Sequence, residues 1–463
     1  MASPPLARAT VTASTVGLAV VLVAQLMLAM DATIVNVALP QIAADLGFSP
    51  AALSWVLNAY TLAFGGLLLL GGRLGDTYGR LRVLEHGLLV FTLASLVGGF
   101  AQEPALLIAA RAVQGAGAAL AAPGILALLT TSAPDEAGRH RALALFSAVS
   151  IGGGTLGLVL GGLVTEYGSW RWTMFVKIPV GVAVLLLARR SLRETPRRAG
   201  RFDVVGAVAA TGAAVAIVWA LIGAPADGWT GPRTLTGLAV GATLLAVLAA
   251  AERRVPEPLL RPALLRSRRR IVGLTVTALV FGSQIGVFFL VVQYVQKVLA
   301  FGPLAAGLAF LPMTLGIFVM SRITPRLVAR VGQIPLLVAG TLGLTLSYGW
   351  LSAIGAGGSY PTALLGPLLL NGVSAGLTFM PGASLVVGGV EPEHAGSASG
   401  LLQTVQQLGG SIGLAVIVSA YAAGSVPGSF VPGVRGAFLT SAAFTLAGSF
   451  MVLFSRTRQQ AAG

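Results

Sequence analysis

The feature that most constrains this chain is the recurrence of apolar runs long enough to cross a bilayer. A hydrocarbon core about 30 Å thick takes roughly 20 apolar residues in a helix, because backbone amides there must be satisfied within the segment. Such runs fall at 14–39, 52–72, 83–101, 105–131, 141–164, 172–188, 204–223, 234–251, 271–294, 303–323, 334–354, 360–388, 397–422 and 435–454. The pattern predicts fourteen membrane helices, numbered here in chain order. Composition agrees: 56% of the 463 residues are hydrophobic and 10% charged, against about a quarter charged in soluble domains. The chain reads as an all-α polytopic membrane protein. Its first run is too long for a signal-peptide core and lacks a cleavage site, so it is read as a retained helix.

The loops carry the orientation. A net charge of +15 raises the question of nucleic acid, but the basic residues lie in short groups between apolar runs, as in loops beside anionic lipid. With the N-terminus inside, the outer side holds Arg171, Arg233, Lys297 and Arg435, and two cations, Arg111 and Lys177, fall within helices; the other basic residues are all cytoplasmic. This bias predicts both termini inside. A weak repeat pairs "GRLGDTYGR" (72–80) with "PRLVARVGQ" (325–333), matching Arg73 with Arg326, Leu74 with Leu327 and Gly79 with Gly332. Two related bundles are a common transporter build. The expected division is a six-helix bundle over 1–190, an inserted pair of helices with basic linkers over 191–268, and a second six-helix bundle over 269–463.

Few residues can carry chemistry. There is no cysteine to form a disulfide or thiolate site, and His86, His140 and His394 are scattered rather than spaced as metal ligands. No H-E-x-x-H or G-x-x-x-x-G-K-[ST] pattern is present, so neither an enzyme nor a nucleotide-driven pump is expected. Of the acids, only Asp31 lies deep in a predicted helix, with Glu85 near a boundary. An ionisable group in that position is costly and marks function. Arg111 in helix 4 and Lys177 in helix 6 fall at depths similar to that of Asp31 in the outer half of the first bundle. A nearby cation favours the charged carboxylate and desolvation the neutral one, so its protonation can follow conformation. A static ion pair that only locks the bundle is the alternative.

Glycine-rich pieces mark close approaches. In "GGRLGDTYGRLRVL" (71–84), Gly72, Gly75 and Gly79 allow a tight backbone beside Arg73, Asp76 and Arg80, with Asp76 free to accept from arginine or to cap helix 3. In "GGGTLGLVLGG" (152–162), Gly153, Gly157 and Gly161 repeat every four residues, with Gly162 beside them, forming a stripe for helix contact. Polar groups that can line a cavity include Asn36, Asn58, Tyr60, Gln114, Lys177, Gln293, Asn371, Gln403 and Gln407; Gln403, Gln406 and Gln407 share one face of helix 13.

Taken in order, "MDATIVNVALP" (30–40), "GRLGDTYGRLR" (72–82) and "RAVQGAGAA" (111–119) resemble the major facilitator superfamily in its fourteen-helix branch of drug:proton antiporters. The resemblance covers essentially the whole chain. It implies the major facilitator fold and export of amphipathic drugs, antibiotics or a secreted metabolite, driven by the proton gradient without a cofactor. On the matching positions, Asp31 is the helix 1 acid, Arg111 the helix 4 arginine tied to proton transfer, and Asp76 with Arg80 part of the cytoplasmic gate. Two positions depart from the branch. Leu158 follows Gly157 where a proline is usual, and Lys177 in "WRWTMFVKIPVG" (170–181) replaces an asparagine. That lysine either snorkels to the outer interface or faces the cavity, where it competes for Asp31 or selects acidic or neutral substrates over cations. The expected partners are a small-molecule substrate, protons and membrane lipid, with no nucleic acid, and a monomer suffices. The expected location is a bacterial cell membrane. A narrow metabolite exporter, or a facilitator or importer without proton coupling, is the other reading.

Overall fold

The computed structural model describes residues 6–131, 136–195, 204–252, 267–355, 357–390, 395–426 and 429–460. Among the described residues, fourteen helices are long and apolar enough to cross a membrane: α1 (Leu6–Leu46), α2 (Trp55–Tyr78), α3 (Arg80–Gly99), α4 (Pro104–Thr131), α5 (Glu136–Tyr167), α6 (Lys177–Ser191), α7 (Val204–Asp227), α8 (Pro232–Glu252), α9 (Arg268–Lys297), α10 (Leu311–Val331), α11 (Gln333–Leu351), α12 (Gly366–Val387), α13 (Ala395–Ala423) and α14 (Val431–Gln460). Short turns precede four of them: Pro50–Leu53 before α2, Trp172–Phe175 before α6, Pro303–Leu308 before α10, and a π-helical turn, Pro361–Leu365, before α12. From the basic linkers, Arg197, Arg198, Arg201, Arg253, Arg254, Arg261 and Arg266 lie outside the described residues.

The first helix is longer than its hydropathy implies. Pro40 removes one backbone donor, yet α1 runs on to Leu46 because side chains beyond the proline are held from outside. Gln41 Nε2 donates to the Thr165 carbonyl at 3.2 Å and Trp170 Nε1 to Asp45 Oδ2 at 2.8 Å. Asp31 therefore sits about 22 Å of helix from that end, close to the middle of the span.

The helix contacts repeat with an offset of eight helices. Within the first bundle α1 packs on α5 and α6, α2 on α4, α3 on α4 and α6; within the second, α9 packs on α13 and α14, α10 on α12, α11 on α12 and α14. α7 and α8 pack on one another, and α7 also lies against both α2 and α13. Leu62, Val218, Ile222 and Ala415 form one buried cluster there.

The buried core shows how the bundles meet. One large cluster draws on both: its first-bundle members, among them Ile34, Leu39, Leu158 and Trp170, lie at the end opposite the basic loops, while its second-bundle members run from Tyr294 and Phe310 there to Val272, Leu385 and Val452 toward the basic loops. Toward the basic loops the core divides into a cluster of first-bundle residues (Val20, Leu84, Phe91, Leu128) and one of second-bundle residues (Leu274, Val386, Leu401). Cross-links at the sealed end include Gln296 Nε2 donating to the Val37 carbonyl at 2.8 Å and the Leu304 amide donating to Glu166 Oε2 at 2.8 Å.

The glycine stripe of α5 is an interface. A Cβ at Gly153 would lie 2.8 Å from Ala29 Cβ, one at Gly157 2.7 Å from the Met30 carbonyl, and one at Gly161 3.1 Å from the Ile34 backbone, all on α1. A Cβ at Gly162 would meet Pro303 and Leu304 of the other bundle at 2.6 and 2.7 Å. Gly157→Val is expected to lower the thermal midpoint of the purified protein by several degrees, as a clash with rigid backbone should. Gly152 has nothing within 4 Å, so Gly152→Ala should hold or raise the midpoint through the roughly 0.5–1 kcal/mol helix preference of alanine. Equal effects of the two would show that α5 does not rest on α1 through this stripe.

Candidate functional site

The site forms where α1, α4 and α6 converge. Asp31 is fully buried, Arg111 is 1% exposed and Lys177 3% exposed. Arg111 Nη1 donates to both Asp31 oxygens, at 3.0 and 2.8 Å, and to Gln114 Oε1 at 2.9 Å; its Nε donates to the Val56 carbonyl at 3.1 Å. The Tyr60 ring lies 4.5 Å from the guanidinium carbon. Gln114 Nε2 donates to Ser95 Oγ at 2.6 Å, and Ser95 to the Phe91 carbonyl at 2.7 Å. Lys177 Nζ donates to Asp31 Oδ1 and lies 3.5 Å from Met174 Sδ and 5.7 Å from the Phe91 ring centre.

Two conditions make this possible. Helices must approach closely enough for short reach, and small residues allow it. Gly115 of α4 rests on the Tyr60 carbonyl of α2, and Gly87 of α3 faces the Gly117 carbonyl of α4, where added Cβ atoms would collide with backbone. The connection into α6 is also tied down, with Arg171 donating to Asp45 and, at 3.0 Å, to the Ala101 carbonyl. That anchoring turns Lys177 inward, so it does not snorkel. Nor does it face open space in this conformation; it is enclosed with Asp31.

The second bundle carries a neutral counterpart. One constant sequence offset relates Asp31 to Gln284, Ser95 to Tyr348, Tyr60 to Met313 and Arg73 to Arg326. Tyr348 Oη donates to Gln284 Oε1 at 2.6 Å with both buried, and Gly372 rests on the Met313 carbonyl as Gly115 rests on Tyr60. Among the described residues, the buried charged side chains all lie in the first bundle.

At the basic end, Asp76 accepts from Arg80 Nε and Nη2 at 3.0 and 2.8 Å, so it pairs with arginine and does not cap α3. Glu194, just after α6, takes the capping role. Its oxygens accept the Leu81 and Arg82 amides at 3.0 and 3.1 Å. Gly79 turns at φ 108° and Gly332 at φ 83°, a region that favours glycine. Gly72 and Gly75 meet Pro123 and Arg80 at ordinary contact distances of 3.7 and 3.4 Å; Arg73 lies on the same last turns of α2.

The cavity residues expected from the sequence scatter. Tyr60 and Gln114 belong to the charged cluster. Asn36, Asn58, Gln293 and Asn371 are buried, Gln293 being occupied by Lys297 Nζ at 3.0 Å and by the Phe289 carbonyl at 3.1 Å. Gln403 is exposed and Gln407 half-buried against Gly65. Their neighbour Gln406 lines a small cleft with Thr277, Phe281, Thr378, Phe379 and Gly382. Those threonines and phenylalanines give no signal in so apolar a sequence. Glu194 had one: an acid in an arginine-rich linker, three residues past the end of a helix.

The profile of the Major Facilitator Superfamily matches residues 21–414. The chain belongs to the major facilitator superfamily. It is 39% identical over 443 residues to the puromycin resistance protein pur8 of Streptomyces alboniger, covering 93% of this chain and 88% of that protein. It is 40% identical over 441 residues to the cephamycin export protein CmcT of Amycolatopsis lactamdurans, covering 94% and 91%. Among solved structures, the POT family transporter PepTSo shares the fold with a TM-score of 0.71 at 14% identity, covering 96% of this chain and 98% of that one. This major facilitator protein is thus a multi-pass cell-membrane transporter and not an enzyme, and these two relatives are named for antibiotic resistance and export.

Charge counting ranks substitutions at the cluster. Asp31→Asn leaves two buried cations without a counter-charge and is expected to cost about 3–5 kcal/mol. Lys177→Met leaves the neutral Asp31–Arg111 pair intact and should cost less. Thermal midpoints of the purified variants in one detergent test the order, and a Lys177→Met protein that melts below Asp31→Asn contradicts it.

Proposed function

We propose that the chain is a proton-coupled antiporter that exports amphipathic small molecules by alternating access, with the Asp31–Arg111–Lys177 cluster as its proton site. The observation that carries this reading is the burial of three charges at mid-depth in one bundle and of a neutral network at the matching place in the other. A purely structural lock would be better served by apolar packing, since buried ion pairs seldom stabilise more than hydrophobic residues of the same volume. We place both termini and the basic loops in the cytoplasm on the charge bias of the loops. On that placement the described conformation is sealed outside and divided inside. Asp76, Arg80 and Glu194 then belong to the gate that closes when the bundles rock, and α5 moves against α10 at the outer seal. We read the chain as two six-helix bundles joined by the inserted pair α7–α8, functional as a monomer and driven by the proton gradient without a cofactor.

A narrower reading has its own support. Relatives are named for single compounds, puromycin and cephamycin among them, which favours one secreted metabolite over a broad drug range. Both readings predict protection of an efflux-deficient bacterium by the wild-type chain against at least one member of a panel spanning cationic, neutral and acidic antibiotics. Asp31→Asn at matched membrane levels is expected to lose that protection, and a protonophore to abolish accumulation in inverted vesicles. Full protection by Asp31→Asn would overturn proton coupling through this cluster; protection confined to one compound would select the narrow exporter.

A further inference from the structure

The Asp31 site holds one positive charge more than it cancels. Asp31 contributes one negative charge, and Arg111 and Lys177 one positive charge each, all within a region no more than 3% exposed. Among the described residues, no other charged group pairs with these three. On α1, Asp45 is engaged by Trp170 and Arg171; on α3, Glu85 is engaged by Arg189 at 2.9 Å near the opposite end. From α2 the Tyr60 ring packs under Arg111, and the uncharged Phe91 and Met174 lie beside the ammonium.

Only two proton movements are open to these side chains, because a guanidinium stays protonated in proteins. A proton joining Asp31 would raise the net charge of the buried site from one to two, on oxygens that already accept three hydrogen bonds from cations. A proton leaving Lys177 lowers it to zero and leaves both Arg111–Asp31 contacts in place. Burying uncompensated charge is the larger cost.

We propose that Lys177 is the group whose proton comes and goes, with Asp31 as the fixed counter-charge that Arg111 holds. This rests on the proton-coupled reading above and assigns the carrier within it. In the release step the N–H bond at Nζ breaks, its electron pair stays on nitrogen, and the proton passes to water on the side to which the site has opened. The return step takes a proton from water on the other side. Loss of the ammonium also removes the ionic tie between α6 and α1 while α4 keeps its hold on α1, so proton release loosens one helix of the bundle selectively.

The sequence offers a direct probe, since Lys177 and Lys297 are the only lysines. Protein labelled with 13C at lysine Cε gives two signals, assigned by Lys297→Arg. The Lys177 signal is expected to switch between ammonium and amine across the pH range in which proteoliposomes transport. In those proteoliposomes, with an imposed pH gradient and ethidium and puromycin as probes, Lys177→Arg keeps a cation on Asp31 but has no proton to give. Its gradient-driven accumulation should fall about tenfold or more, and its residual uptake should no longer follow pH. A Lys177 signal that stays ammonium throughout, or gradient-driven uptake by Lys177→Arg equal to wild type, overturns the assignment. If Lys177→Arg does not fold, the titration of the wild-type chain decides alone. Failure of the wild type to couple either probe to the gradient would instead count against the proton-coupled reading itself.

Discussion

Asp31 can occupy the middle of a membrane helix only because two cations reach it from other helices. Removing a carboxylate from water costs several kcal/mol even after relaxation, and no backbone group on α1 is free to offset that. The rest of the first bundle is arranged around meeting this demand. Glycines at 87, 115 and 117 bring α2, α3 and α4 to backbone distance, so that an arginine on α4 spans to α1 while also satisfying Val56 and Gln114. The anchoring of Trp170 and Arg171 on Asp45 turns the start of α6 inward and delivers Lys177. The α5 glycine stripe then presses α1 from the other side.

The two bundles show that this scaffold does not require charge. At equivalent positions the second bundle places Gln284 and Tyr348 in a neutral hydrogen bond, and its helices contact one another in the same pairs. A neutral network satisfies its own donors and acceptors in any conformation that keeps the helices together. A charged one changes energy whenever a proton or a counter-ion is gained or lost. Confining charge to one side therefore separates a responsive bundle from a passive partner.

The inserted helices and their linker touch both halves of this arrangement. α7 lies across α2 and α13, with Thr211 against Gly66 and Ser419 Oγ donating to the Leu221 carbonyl, while Glu194 at the start of the preceding linker caps α3. A strap that binds one helix from each bundle leaves the opposite side, where α5 faces α10, freer to part. The buried core divides toward that same basic end.

Much of this protein was legible in its sequence, and the reason is the bilayer. Hydrocarbon forces each span to be a long apolar helix, so hydropathy alone yields fourteen helices, and the cost of intramembrane charge singles out Asp31, Arg111 and Lys177. Glycine spacing at 153, 157 and 161 marked an interface because only close approach needs it. What only the tertiary structure decided was lateral. Sequence gives depth along a helix but not which faces meet. It could therefore leave Lys177 between snorkelling and the cavity when it lies on Asp31, and Asp76 between arginine and a cap when it pairs with Arg80. Asn58 and Asn371, polar and suited to a cavity by composition, lie buried away from open space. The cleft at Phe281 and Phe379 gives no sequence signal, since in so apolar a chain a phenylalanine lining a cleft and one facing lipid look the same.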